Sequence, residues 1–151
     1  MNQPDAGGTG SEEGTTGFMA TATSPSSTVR NETAEQLRQK LINKTATIGV
    51  VGLGYVGLPL VRALHDAGYP VLGFDVDQRK IDKLAAGESY LKHLGDDLVA
   101  KLAKSDRFRA TSDGSTLGEA DVILLCVPTP LGHHHEPDLA FVLDSTRLVA
   151  K

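Results

Sequence analysis

The chain has 151 residues, a formal net charge of -4 and a pI near 5.7. That balance excludes the clustered basic surface of a nucleic-acid binder, and no apolar run approaches the roughly 20 residues of a membrane span. The single cysteine, Cys126, excludes an internal disulfide; with no basic and apolar leader at the N-terminus, a reducing, cytoplasmic setting is expected.

Residues 1–30 are rich in Gly, Ser and Thr, carry Pro4 and Pro25, and hold few large apolar side chains. Such a composition buries too little surface to offset the entropy of ordering, so a disordered tail is expected. The folded domain then spans 31–151. Residues 31–43 read as a helix capped by Asn31 or Thr33, with Leu37, Leu41 and Ile42 on one stripe beside the first strand.

Residues 45–53 read as that strand, apolar enough to be buried on both faces. It breaks into Gly52-Leu53-Gly54-Tyr55-Val56-Gly57. Gly52 permits a tight turn, Gly54 lets backbone approach a pyrophosphate, and Gly57 lets the next helix pack closely. The N–H groups of Tyr55 and Val56 then stand at the positive end of a helix, suited to a diphosphate. That helix is expected over 55–67, with Pro59 in its first turn and Leu60, Leu64 and Ala67 facing the sheet.

The second strand, 71–75, ends at Asp75. An acid about 20 residues after the glycine turn accepts hydrogen bonds from ribose hydroxyls and repels a 2′-phosphate, favouring NAD over NADP. Strand, glycine turn, helix, strand and acid together form a dinucleotide-binding βαβ unit. Asp77 is expected to cap a helix over 78–86, closed by Gly87, with Ile81 and Leu84 inward. Lys80, on its first turn, either reaches the cofactor or is a solvated lysine.

A further helix is expected within 88–104, where Leu94, Leu98 and Leu102 recur, followed by a strand at 108–111 and a helical turn at 115–119. A buried strand over 121–127 leads to Pro128-Thr129-Pro130. In an open α/β sheet, ligands bind beyond the carboxyl ends of strands, so Gly52, Asp75 and Thr129 should converge on one crevice. Cys126, inside that strand, reads as core packing. His133, His134 and His135 lack accompanying ligands at zinc spacing and read as an exposed loop, so no metal is expected. Asp138 is placed to cap a last helix over 139–150. The fold class is therefore α/β, a Rossmann-type doubly wound parallel sheet of which only the N-terminal part is present.

The stretches IGVVGLGYVGLPL, GFDVDQRKI, FRATSD and DVILLCVPTPL resemble the N-terminal domain of the UDP-glucose/GDP-mannose dehydrogenases. GESYLKHL and PTPLGHHHEPDLAFV are most similar to the UDP-N-acetylglucosamine 6-dehydrogenase branch. The resemblance implies NAD as cofactor, held by Gly52, Gly54, Tyr55, Val56, Gly57, Asp75, Lys80 and Thr129. It implies oxidation of the C6 hydroxyl of a UDP-sugar to a carboxylate, through a cysteine thiolate that attacks the aldehyde. That cysteine's glycine-rich motif has no counterpart here, so no catalytic residue is expected in this chain. The chain looks like the first part of a longer enzyme, inactive by itself and forming homodimers or larger assemblies only when whole.

Two other readings compete. A β-hydroxyacid dehydrogenase of the 6-phosphogluconate type shares the glycine turn but carries Met and Asn-Arg where Val56 and Asp75 stand. A stand-alone NAD-binding module without catalysis would fold as a monomer with a ligand-raised melting transition.

Overall fold

Four short runs of β-branched and aliphatic residues become the strands of one parallel sheet in the computed structural model, which describes residues 25–91, 96–131 and 136–150. β1 (Ile48–Val51) lies centrally, β2 (Val71–Phe74) and β4 (Val122–Leu125) flank it, and β3 (Phe108–Thr111) pairs with β2, giving the order β3-β2-β1-β4. β1 and β2 are buried along their whole length, as strands covered on both faces must be.

The pleat sends successive side chains to opposite layers. Val50, Val71 and Leu53 join Leu58, Val61, Ile81, Leu84, Val99 and Leu102 in the larger core, under α2 (Gly57–Asp66), α3 (Gln78–Ala86) and α4 (Asp96–Ala103). Val51, Leu72 and Phe74 face the other way and meet Leu117 of a 3₁₀ turn (Gly114–Glu119), with Leu148 of α5 (Ala140–Val149) packed against them. Helical cover on both faces makes the sheet doubly wound, as expected.

The first helix, α1 (Pro25–Ile42), starts before Asn31. Pro25 stands at its first position, where a missing N–H costs nothing. Residues 1–24 of the expected tail lie outside the described residues. From residue 32 onward α1 lies largely exposed, with Ile42 58% accessible, and it is moored at its C-terminal end. There Lys40 pairs with Asp121 at 2.5 Å, the Leu41 carbonyl accepts from Tyr69 Oη, and Lys44 stands over the Tyr69 ring.

Two further expectations need correction. On α2 the buried side chains are Leu58, Val61 and His65; of the three expected to face the sheet, Leu64 does pack against the larger core, Leu60 is only partly buried and Ala67 is exposed. The helix expected within 88–104 is α4, Asp96–Ala103, and it follows the left-handed turn at Gly87 (φ 75), where the Glu88 N–H donates to the Lys83 carbonyl and closes α3. Its Leu94 lies outside the described residues. The strand read over 121–127 is Val122–Leu125 and is only half-buried, since it is the sheet's edge.

α3 matches its expected bounds, with Asp77 accepting from the Arg79 N–H and Gly87 closing it. Asp138 accepts from the Ala140 N–H at 2.9 Å at the start of α5. α5 fully buries none of its residues, leaving Phe141 and Leu143 about half exposed. Among the described residues, no helix is long and apolar enough to cross a membrane.

Candidate dinucleotide-binding site

The carboxyl ends of β1, β2 and β4 open onto a cleft of about 280 Å³ lined by Gly52, Gly54, Tyr55, Val56, Asp75, Lys80, Cys126, Val127 and Pro128. Six of the eight residues expected to meet a cofactor line it. Gly57 lies beneath it, and Thr129 stands exposed one residue past the lining Pro128. The histidine loop, His133 to His135, lies outside the described residues.

The glycines divide the work as their backbones require. Gly52 has φ +93, and a Cβ there would stand 2.6 Å from the Cys126 carbonyl oxygen. Its N–H donates to the Phe74 carbonyl at 2.7 Å, so the turn is bonded to the end of β2 while it lies close against Cys126 on the other side. A Cβ on Gly57 would come 1.8 Å from the Gly52 carbonyl oxygen. Helix α2 therefore begins in contact with the turn that precedes it. Gly54 differs: a Cβ there would meet nothing within 4 Å. Its missing side chain leaves open space on the cleft side, which is what close approach by a diphosphate demands. Tyr55 and Val56 project into solvent, 75% and 68% exposed, and their backbone N–H groups make no hydrogen bond among the described residues.

Asp75 is only 6% exposed and well partnered. Oδ2 accepts from the Leu53 N–H at 2.8 Å and from Lys80 Nζ at 2.7 Å; Oδ1 accepts from the Asp77 N–H at 3.0 Å. A carboxylate offers about four acceptor positions, so about one remains for a ligand hydroxyl. The acid that the sequence marks as a ribose partner is thus also the tie between the glycine turn and the end of β2. Lys80, with its side chain 32% exposed, neutralises it from the first turn of α3. Asp77, beside it, is held below the usual carboxylate range by the Arg79 guanidinium.

Two features went unread in the sequence. Tyr90, in the segment after α3, donates its hydroxyl to the Leu53 carbonyl at 2.6 Å. Burial, then the charges of Asp75 and Asp77, pushes its phenol far above the usual range, so it stays a donor. The signal was there, a lone aromatic in GESYLKHL, but nothing local says where its hydroxyl reaches. His65 is buried in α2 at 3% exposure with Nε2 2.7 Å from Ser105 Oγ. Cys126 packs against the larger core, and burial pushes its thiol pKa up. That environment favours the neutral thiol and suits a packing role.

A glycine turn open on one side, free N–H donors at a helix start and an acid at the next strand's end fit a dinucleotide. Comparison with known proteins agrees. The profile of the UDP-glucose/GDP-mannose dehydrogenase family, NAD binding domain, matches residues 46–151. UDP-N-acetyl-D-mannosamine dehydrogenase of Escherichia coli (strain K12) is 38% identical over 105 residues, covering 70% of this chain and 24% of that protein. NDP-N-acetyl-D-galactosaminuronic acid dehydrogenase of Ralstonia nicotianae is 34% identical, covering 69% and 24%. The crystal structure of NDP-N-acetyl-D-galactosaminuronic acid dehydrogenase from Methanosarcina mazei Go1 superposes with a TM-score of 0.67 at 33% identity, over 79% of this chain and 27% of that one. The chain thus spans about a quarter of the length of these relatives. It belongs to the UDP-glucose/GDP-mannose dehydrogenase family, and what it carries is that family's NAD-binding domain.

Proposed function

We propose that this chain is the NAD-binding portion of a nucleotide-sugar 6-dehydrogenase that oxidises the C6 hydroxyl of a UDP-sugar to a carboxylate. The observation that carries the reading is the cleft itself, where open Gly54, the Tyr55 and Val56 N–H groups and Asp75 meet at three strand ends. Gly52, Gly54, Tyr55, Val56 and Gly57 would form the diphosphate cradle, Asp75 and Lys80 the ribose edge, and Thr129 a further donor. When bound, NAD supplies the hydride acceptor. The chain's own contribution is to bind and orient it, with a partial positive field at the start of α2 facing the diphosphate.

The sugar we propose is UDP-N-acetylglucosamine, on the likeness of GESYLKHL and PTPLGHHHEPDLAFV. The relatives' names support the wider class, since both name N-acetylated amino-sugar nucleotides. We place no catalytic residue in these 151 residues, and assembly into dimers or larger forms belongs to a longer enzyme. The proposed folded domain is 31–151 after a tail over 1–30, and the proposed setting is cytoplasmic, in keeping with a single cysteine.

The test is a pair of titrations by calorimetry, NAD against NADP, on the purified chain. NAD should bind more tightly by about ten-fold or more, equivalent to ~1.4 kcal/mol. Preference for NADP would point instead to the 6-phosphogluconate type of dehydrogenase. Addition of UDP-N-acetylglucosamine with NAD should yield no NADH, and turnover would overturn the absence of a catalytic group here. A longer dehydrogenase carrying this domain should turn over UDP-N-acetylglucosamine faster than its mannosamine epimer; the reverse order sinks the sugar assignment.

A further inference from the structure

Leu53 is held at three points. Its side chain is fully buried, lying where a Cβ on Gly73 would stand 3.0 Å away. Its N–H is held by Asp75 and its carbonyl by Tyr90. The Tyr90 ring is itself packed on the larger core, so the hydroxyl is presented from a fixed platform. A peptide group is planar and trans, so fixing the Leu53 carbonyl also fixes the Gly54 N–H, which points the opposite way. The Gly54 carbonyl in turn accepts from the Leu58 N–H at 3.1 Å, carrying the constraint into α2.

We infer that Tyr90 is a positioning residue for the dinucleotide: through the Leu53 carbonyl it holds the Leu53–Gly54 peptide so that the Gly54 edge of the cleft stays open to a diphosphate. The inference rests on the NAD reading of the cleft. It also gives the segment after α3 a task. Without the hydroxyl, the Leu53 carbonyl has no other protein donor among the described residues. The peptide is then free to tilt, and the free protein spends less time in the shape that accepts ligand. Apparent affinity falls by the lost fraction.

A second tyrosine supplies the control. Tyr69 Oη also donates to a backbone carbonyl, that of Leu41 at 2.9 Å, at the mooring of α1 rather than in the cleft. Tyr69→Phe and Tyr90→Phe therefore delete like bonds in unlike places. The experiment measures the NAD dissociation constant by calorimetry and the melting temperature for the wild-type chain and both variants. A net hydrogen bond of about 0.6–1.4 kcal/mol corresponds to a roughly 3- to 10-fold weaker Kd for Tyr90→Phe. Tyr69→Phe should melt lower with an unchanged Kd.

An unchanged Kd in Tyr90→Phe, or equal weakening in Tyr69→Phe, overturns the inference. Absence of NAD binding by the wild-type chain removes the underlying reading, and the inference with it. Should Tyr90→Phe lose its cooperative melt, the wild-type chain decides through exchange of the Tyr90 hydroxyl proton, read by NMR. Slowing on addition of NAD supports the latch, and no change overturns it.

Discussion

Replacing two glycines of the same turn by alanine should separate folding from binding: Gly57→Ala and Gly54→Ala. At Gly57 the new methyl would sit 1.8 Å from the Gly52 carbonyl oxygen and 2.9 Å from its carbon. Carbon and oxygen in van der Waals contact are separated by more than 3 Å, so backbone has to shift by more than an ångström. Neither side yields easily. Gly52 is stitched to the Phe74 carbonyl, and α2 is anchored by Leu58 and Val61, both 0% exposed. Overpacking of this kind costs about 1–3 kcal/mol, and a clash with backbone belongs at or above the upper end. For a domain of this size that lowers the melting temperature by about 4 °C per kcal/mol, hence about 12 °C in all. At Gly54 the same methyl meets nothing within 4 Å and φ is not positive, so the fold should not suffer. It would instead occupy the space a diphosphate needs, and NAD affinity should fall about ten-fold or more. Differential scanning fluorimetry with a matched NAD titration reads both effects. A Gly57→Ala chain melting within about 1 °C of wild type, or a Gly54→Ala chain with full affinity, would refute the division of roles, since either change lies well below these magnitudes.

Other outcomes follow from the same geometry. Asp75→Asn places an amide against three donors, two of them backbone N–H groups, and should destabilise the chain by about 2–3 kcal/mol in a urea melt; a midpoint equal to wild type would show that the tie to Leu53 contributes nothing. Lys80→Met removes only a half-exposed partner of that acid, so stability should change by less than about 1 kcal/mol while NAD binding weakens. Asp121 is held below the usual carboxylate range by Lys40 and by the Thr47 N–H. Its contribution is therefore complete above the unfolded pKa of about 3.9 and is lost as pH falls through the lower folded value. Hydrogen exchange at the Thr47 amide should speed up over that acidic window in wild type, and should be fast at all pH values in Asp121→Ala. Cys126 should react with a disulfide reagent far more slowly in the folded chain than in urea, and more slowly still with NAD present; equal rates would place its thiol outside the cleft wall.

The parts of the fold that the sequence announces are those set by local chemistry. Asp77 and Gly87 bound α3 because a carboxylate caps and a glycine turns left-handed, whatever else the chain does. The glycine turn and Asp75 are likewise legible, since Gly57 answers to a backbone neighbour a few residues away and Gly52 to an adjoining strand, while Gly54 faces open space. What escaped depends on distance. The buried face of α2 includes His65, whose Nε2 meets Ser105 Oγ from a residue 40 positions away, a partner that the spacing of the helix's leucines does not announce. The half-buried state of β4 reflects its place at the sheet edge, which its uniformly apolar residues conceal. α1 reaches back to Pro25 through a stretch of Ser and Thr that composition alone assigns to a loop. The second task of Asp75, holding Leu53, and the reach of Tyr90 across 37 residues appear only once the backbone has closed.

A sheet whose strands all run the same way has no hairpin, and this shapes the order in which it can assemble. The contact that closes the first βαβ unit, Leu53 with Asp75, joins residues 22 apart, whereas Thr47 with Asp121 joins residues 74 apart. Loop closure grows only slowly with length, about 0.6 kcal/mol per doubling, so the longer closure is dearer by roughly 1 kcal/mol. The first βαβ unit can thus nucleate with its acid already docked on the glycine turn, and β4 is added to a preformed edge. On that order the ligand-accepting turn is among the earliest structure the chain acquires, and Gly52 gains its last contact, with Cys126, only when the final strand arrives.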